Sequence, residues 1–395
     1  MNSPKDAAPG RSQEDRDRLS EAKLRIEGAN RLRDSGAAGV VPALAEYDAA
    51  AAILEPLSSK GWPEADDELA SAWTNKGIAL MEGDAAMRAE SLPAFRRAID
   101  LRTPLVDLPG PWYRYNLAGV WMNYGSVLWR SGDKADIAMS IDADKQAVEI
   151  LDGVSANDAP QILSRTVQAR LCYGSALLFR GNGEGDIGVA VAALRSARAV
   201  PGVGQDTASV HDRLMLACAW ANEAEGLYRI GQNVECRACA IQALKLAASH
   251  EAQVYYAANL GIRARVTLCN ESRNQLGSGI ATATARKNAD EAAELAEEAL
   301  THLAKWAEGD LGPLLRELYR FCTEFYAKCQ PHFLAEFLSD HTSWVDKQGG
   351  SLASTETRAV RSAINSIIQK GFAPAEMERS IEALRDLQAA ARAYD

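Results

Sequence analysis

The stretch WMNYGSVLWRSGD, residues 121–133, occurs in related form at two other places in the chain. These are WTNKGIALMEGD at 73–84 and WANEAEGLYRIGQ at 220–232. In all three, a small residue stands four places after the tryptophan, a leucine stands three places further on, and a glycine follows. A small residue and a leucine one helical turn apart, with a glycine after them, predict a helix that packs on one face and then turns.

Two weaker copies extend the pattern into a regular repeat. The small residues that anchor the five copies are Ala29, Gly77, Gly125, Gly174 and Ala224. Their separations are 48, 48, 49 and 50 residues. Each copy then has a second apolar helix with its own small residue, at Ala50, Ala98, Ala147, Ala197 and Ala243. Self-similarity at such a period predicts a helical solenoid, in which one unit buries its apolar face against its neighbours.

The repeat resembles the tetratricopeptide repeat (TPR), with its tryptophan, small residue, leucine or aromatic, turn glycine and second helix with spaced alanines. The resemblance covers about residues 20–265, and the copy that begins at Trp220 resembles the family's pattern most. It implies two antiparallel helices per repeat, stacked into a right-handed superhelix. We therefore expect an all-α, TPR-like solenoid of antiparallel helix pairs with helices that cap its C-terminal end.

The period departs from that of the family, whose repeats have roughly 34 residues. The extra residues lie between repeats, because the second-helix alanine and the next anchor are 27 residues apart in four consecutive cases. Each insertion begins near proline or glycine and continues as a helix-like run. We expect a loop followed by a first helix that is about two turns longer than usual. Pro63, Pro111 and Pro160 suit the starts of these helices.

Three regions follow from this pattern. Residues 1–15 are expected to be a disordered leader, residues 16–265 the TPR-like array, and residues 266–395 a C-terminal helical extension and cap. The polar segments between residues 351 and 395 would protect the end of the apolar core, which a solenoid requires.

Composition excludes several classes of protein. A formal net charge of −10 argues against nucleic acid as a partner, since phosphate binding needs a clustered basic face. We expect no membrane span, because no apolar run approaches the roughly 20 residues required. The N-terminal segment lacks the apolar core of a secretory signal. The seven cysteines, an odd number, are expected to be reduced thiols of a cytoplasmic protein.

Candidate chemical motifs favour packing over catalysis. Cys236 and Cys239 form a C-x-x-C inside the second helix of a repeat, where small residues pack, and no second ligand pair stands at zinc-site spacing. Cys329 and His332, with His341 nearby, are interrupted by a proline. The glycine-rich segment at 181–188 falls at the predicted turn within a repeat and lacks the lysine of a phosphate-binding loop. We therefore expect no catalytic residues, no metal and no cofactor.

The asparagine two places after each tryptophan is the leading candidate for binding: Asn75, Asn123 and Asn222. Two interpretations stay open, since such an amide either braces the repeat or holds the backbone of a bound peptide. A clamp for C-terminal carboxylates of the kind found in the family is not supported, because Ile26 and Gly119 stand where its lysines are expected. Further candidate lining residues, one or two turns on, are Met81, Trp129, Arg130, Tyr228 and Arg229.

The sequence thus predicts a non-catalytic scaffold or adaptor whose concave groove binds a protein or peptide partner. The alternative is a regulator or enzyme in which the long repeats form a pocket for a small molecule.

Overall fold

The structure, a computed structural model, describes residues 12–153, 158–200, 209–251, 253–277, 282–303 and 311–330, together with 334 and 337. The chain divides into two compact units, Met1–Gln205 and Asp206–Asp395, here called unit 1 and unit 2. All regular secondary structure in the described ranges is helical.

The described part of unit 1 contains four pairs of α-helices. The pairs are α1 Gln13–Asp34 with α2 Ala37–Ser58, α3 Pro63–Met81 with α4 Ala85–Arg102, α5 Pro111–Ser131 with α6 Lys134–Ile150, and α7 Pro160–Arg180 with α8 Glu184–Arg198. A short 3-10 turn, Thr103–Leu105, follows α4. The two helices of each pair pack together across a turn of two or three residues, so they are antiparallel.

The described part of unit 2 also consists of α-helices that pack in the order of the sequence. Its helices are α9 Val210–Arg229, α10 Asn233–Ala247, α11 Tyr255–Gly277, α12 Ala283–His302 and α13 Gly312–Cys329. Each packs against the next, and α9 also packs on α11, and α11 on α13. The aromatic residues Tyr319, Phe325 and Tyr326 of α13 are buried.

Proline and glycine residues mark where several helices begin and end. Pro63, Pro111 and Pro160 open α3, α5 and α7, where the missing N–H costs no intrahelical hydrogen bond. Gly132 and Gly181 end α5 and α7 in the left-handed conformation, with φ of 74° and 58°. That conformation suits glycine because it has no Cβ to clash with the backbone.

The small anchors are explained by the close approach of the second helix. A Cβ on Gly77 would lie 2.7 Å from the ring of Phe95 on α4, and one on Gly174 would lie 2.7 Å from Leu194 on α8. The alanines predicted at the matching place in the second helix are all fully buried: Ala50, Ala98, Ala147, Ala197 and Ala243. The prediction of an all-α arrangement of antiparallel helix pairs is confirmed in the described ranges.

One expectation from the sequence, that no apolar stretch approaches the length of a membrane span, is wrong. Among the described residues, α2 is long and apolar enough to cross a membrane, judged by length and composition alone. Its apolar content serves packing between α1 and α3, where Tyr47, Ala50 and Leu54 are buried. The charged residues Glu46 and Asp48 interrupt the apolar sequence of α2, although the helix as a whole remains apolar.

The domain division proposed from the sequence stays a prediction. Helix α1 begins at Gln13, within the segment expected to be a leader, and the expected boundary at residues 265/266 falls inside α11. The capping segments expected between residues 351 and 395 lie outside the described residues, as do His332 and His341.

Candidate functional site

The first helices of three successive pairs in unit 1 line a polar cleft. Helix α3 packs on α5, and α5 packs on α7, so the three helices lie side by side in one layer. Between them is a cavity of about 240 Å³. Its polar lining consists of Ser71, Thr74, Asn75, Arg102, Tyr115, Asn116, Asn123 and Arg165. Ile78 and Val120 add an apolar part to the lining.

Two of the three predicted asparagines meet in this cleft. Asn75 on α3 and Asn123 on α5 are both half-buried and both line the cavity. Neither side chain makes a hydrogen bond with any other residue that the structure describes. A side-chain amide offers two N–H donors and one carbonyl acceptor, so both groups are available to a ligand.

The third asparagine has a structural environment. Asn222 on α9 is 5% exposed, and its Oδ1 accepts a hydrogen bond of 2.7 Å from Nη2 of Arg263 on α11. Its Nδ2 lies 3.6 Å from Sγ of Cys218. Asn222 therefore braces α9 against α11, which is the first of the two interpretations that the sequence left open.

The floor of the unit 1 cleft is built by Arg102, the last residue of α4. This side chain is 5% exposed, and it donates to Oδ1 of Asp67 at 3.0 Å and to Oγ of Ser71 at 2.7 Å, both on α3. It also donates to the backbone oxygen of Asn116 on α5 at 3.4 Å. Burial lowers the pKa of Arg102, the Asp67 carboxylate opposes that fall, and the charge on Arg165 adds to it.

The wall on the α7 side is Arg165. Its Nη2 donates to the hydroxyl of Tyr115 at 2.9 Å, and its guanidinium lies 4.4 Å from the centre of the Tyr115 ring. The guanidinium rests against Gly119 of α5, where any Cβ would overlap it. Within the described ranges no carboxylate forms an ion pair with Arg165.

The remaining predicted residues of unit 1 surround the cleft without lining it. Met81 packs against a hydrophobic cluster that includes residues of α4 and α5. The ring of Trp129 on α5 makes an edge contact with Phe179 on α7, with ring centres 4.6 Å apart, and Phe179 is 67% exposed. Arg130 is exposed, and it stands seven residues after Asn123, which places it on the same face of α5.

The predicted residues of unit 2 belong to a separate cleft of about 230 Å³, lined by residues of α9 and α11 and by Leu314 of α13. Tyr228 and Arg229 line it, as do Glu225 and Arg263. The Tyr228 hydroxyl accepts from Nδ2 of Asn274 at 3.2 Å, and Arg229 and Arg263 both pair with Glu225. The polar groups of this cleft are thus largely engaged with one another.

Sequence reasoning missed Arg102, Tyr115 and Arg165. A signal for two of them was present, since Tyr115 and Arg165 are 50 residues apart and occupy nearly the same place in successive repeats. Both lie in the turns that lengthen the first helices. Arg102 gave no such signal, because its partners on α3 are reached only through the fold.

Alternative sites are weaker in the described part of the chain. No group of three or more His, Cys, Asp or Glu side chains there could hold a metal ion. Cys236 and Cys239 are buried, and burial raises the pKa of Cys236 to about 12, which makes its thiol a poor nucleophile and ligand at neutral pH.

A hollow of about 280 Å³ lies where the α4–α5 and α6–α7 connections meet, with exposed Asp107 and Arg114 at its edge. The alternative of a small-molecule pocket stays a prediction.

No protein-family model matches the chain, and no curated protein matches it. Solved structures match the chain at low sequence identity. A circular tandem repeat protein with a novel repeat topology is 12% identical, with 96% of this chain and 97% of the other covered and a TM-score of 0.34. A signal transduction ATPase with numerous domains and a tetratricopeptide repeat sensor, from Pyrococcus horikoshii, is 10% identical, with 98% and 56% covered and a TM-score of 0.44. The TPR domain of P58(IPK) is 13% identical, with 94% and 99% covered and a TM-score of 0.18.

Proposed function

We propose that this protein is a non-catalytic scaffold whose cleft between α3, α5 and α7 binds an extended segment of a protein partner. The observation that carries the proposal is that the side chains of Asn75 and Asn123 lack hydrogen-bond partners within the described residues. Both amides line one cleft. A half-buried amide without an internal partner keeps its donors and its acceptor for a ligand.

The chemistry of the two amides matches that of a peptide backbone. Each side chain donates and accepts, as each backbone peptide group does, so one asparagine bonds a main-chain unit whatever side chain that unit carries. The two asparagines occupy the same place in neighbouring repeats, 48 residues apart. A segment crossing the first helices would meet the same recognition group twice.

Apolar surface is available beside the amides. Ile78 and Val120 belong to the lining of the cleft, and Trp129 with the exposed Phe179 forms an aromatic pair between α5 and α7. Aromatic side chains contribute much of the binding energy at protein interfaces. Backbone recognition by the amides would therefore be supplemented by one or two apolar side chains of the partner.

The test begins with a random peptide library displayed on phage and selected against the full-length protein. Peptides that bind are then measured by calorimetry against the double variant Asn75→Ala, Asn123→Ala. Losing two hydrogen bonds of about 1 kcal/mol each predicts an affinity about tenfold to a hundredfold weaker. Because neither amide bonds within the described protein, the melting temperature of the double variant should stay close to that of the wild type.

Asn222→Ala is the matched control. It removes an asparagine from the equivalent place in another repeat, where the side chain is buried and bonded to Arg263. This variant should melt earlier and, at low temperature, bind the selected peptides as the wild type does. A library that yields no binding peptide, or peptides that bind the Asn75, Asn123 double variant undiminished, would refute the proposal.

A further inference from the structure

We propose that the lengthened parts of the first helices form a subsite for an anionic group of the partner segment, centred on Arg165. This inference rests on the proposed function, because the subsite is the part of the same cleft that the extra turns supply. A repeat of ordinary length has no counterpart to these positions.

The extra turns can be located by counting along the helices. The anchors Gly77, Gly125 and Gly174 are each the fifteenth residue of their helix, counted from Pro63, Pro111 and Pro160. Since the insertion precedes the anchor, the two added turns, about seven residues, are the first ones of each helix.

Three polar residues of the cleft wall and floor fall within these added turns. They are Tyr115 and Asn116 on α5 and Arg165 on α7, and Asp67, which holds Arg102, lies in those of α3. The insertion that sets this repeat apart therefore contributes three of the eight polar residues that line the cleft.

The charge of the subsite is positive and unbalanced. Arg102 and Arg165 both reach the cleft, and the Asp67 carboxylate pairs with Arg102 at 3.0 Å. Arg165 has only the neutral hydroxyl of Tyr115 as a hydrogen-bond partner within the described ranges. Of the five N–H donors of a guanidinium, most remain without an acceptor, and a half-buried cation with unused donors favours an anion.

The guanidinium is held in place before any ligand arrives. It stacks on the Tyr115 ring at 4.4 Å, and that ring is in turn packed edge-on by Trp112 at 5.3 Å. Gly119 leaves the space that the guanidinium fills, since a Cβ there would overlap it. Little side-chain freedom is then lost on binding, and a planar fork that is already oriented suits a group with two or more oxygens.

The ligand chemistry is therefore an oxyanion: the carboxylate of an aspartate or glutamate in the partner segment, or the phosphate of a phosphorylated residue. Peptides selected from the phage library should carry an acidic residue at one recurrent position. In synthetic copies, replacing that residue by glutamine should weaken binding about tenfold to a hundredfold. Copies with phosphoserine at the same position identify the source: tighter binding than the acidic peptide assigns phosphate, and equal or weaker binding assigns carboxylate.

Arg165→Met tests the residue itself, since methionine keeps an apolar side chain on Tyr115 and removes the charge. It should bind the acidic peptide as weakly as the wild type binds the glutamine copy, and the glutamine copy should bind both proteins alike. Arg114→Met is the matched control, because Arg114 is an exposed arginine in the same added turns that lines a different hollow. It should leave the affinity unchanged.

Gly119→Ala gives a second, independent variant, which keeps the arginine but displaces its guanidinium, and it should also weaken binding of the acidic peptide. The inference is overturned if peptides are selected without an acidic preference, or if a folded Arg165→Met protein binds the acidic peptide as the wild type does. In either case the dependence on Asn75 and Asn123 would still stand. If no peptide is selected, the proposed function itself fails.

Discussion

Replacing Asp144 by asparagine is expected to stabilise unit 1 by an amount that grows as the pH rises. Asp144 lies on α6, is 6% exposed, and forms no ion pair with any residue that the structure describes. Its Oδ1 faces Gly125, where a Cβ would lie 3.1 Å away. Burial raises the pKa of Asp144 from 3.8 to about 7, because the charged carboxylate loses its hydration.

The sign and size of the effect follow from this shift. Below about pH 4 the carboxyl group is protonated in both the folded and the unfolded chain, so it adds no pH dependence. Between that pH and about 7 the unfolded chain releases the proton while the folded protein keeps it, so stability falls as the pH rises. A shift of roughly three pKa units corresponds to about 4 kcal/mol, reached above pH 7.

Asp144→Asn removes this loss, because the amide is close in shape to the protonated acid and never ionises. The assay is thermal and urea unfolding of wild type and variant from about pH 4 to about pH 8. Hydrogen exchange of α5 and α6 then shows whether the change in stability lies in unit 1. The exposed Asp142, two residues away on α6, provides the control Asp142→Asn, which should show no comparable gain. A stability difference between wild type and Asp144→Asn that does not change with pH would refute the reasoning.

Two further outcomes are expected. Gly261→Ala should destabilise unit 2 by about 3–5 kcal/mol in urea unfolding. The added Cβ would overlap the Glu251 carboxylate and break its buried 2.9 Å ion pair with Arg265. An unchanged unfolding midpoint would contradict the packing described. Elemental analysis of the purified protein should find no stoichiometric zinc, since Cys236 and Cys239 are packed in the core of unit 2; one equivalent of zinc that is lost in a Cys236→Ser, Cys239→Ser variant would contradict this.

The candidate site was predictable in part. The place of the three asparagines in the repeat, two residues after each tryptophan, identified the helices that line the unit 1 cleft, and Asn75 and Asn123 do meet there. The same place did not imply the same role. Asn222 is engaged because Arg263, 41 residues away, comes within hydrogen-bond distance of it, whereas no residue in the described ranges does so for Asn75 or Asn123.

The candidate lining residues one or two turns further along have different surroundings. Arginine and aromatic residues were selected for their chemical type, yet Met81 packs against the core and Trp129 lies against Phe179 on the neighbouring helix. Arg130 shares the face of Asn123, because seven residues complete nearly two helical turns. Tyr228 and Arg229 line the unit 2 cleft. Whether a residue lines a cleft thus depends on its angular position on the helix as well as on its chemical type.

The sequence by itself determined the helical pairs, their turns and their length. These features depend on short-range properties: the small residue where a second helix approaches, the proline that opens a helix, and the glycine that closes it in the left-handed conformation. Repetition made them visible, because each unit buries its apolar face against the next in the same way.

The tertiary structure alone decided which polar groups are free and where the cleft carries charge. Arg102 reaches from the end of α4 to Asp67, 35 residues earlier, and Arg165 reaches from α7 to Tyr115 on α5, 50 residues earlier. Whether a long polar side chain is paired depends on which residue of another helix lies within about 3 Å of its end, a distance that periodicity and propensity do not encode.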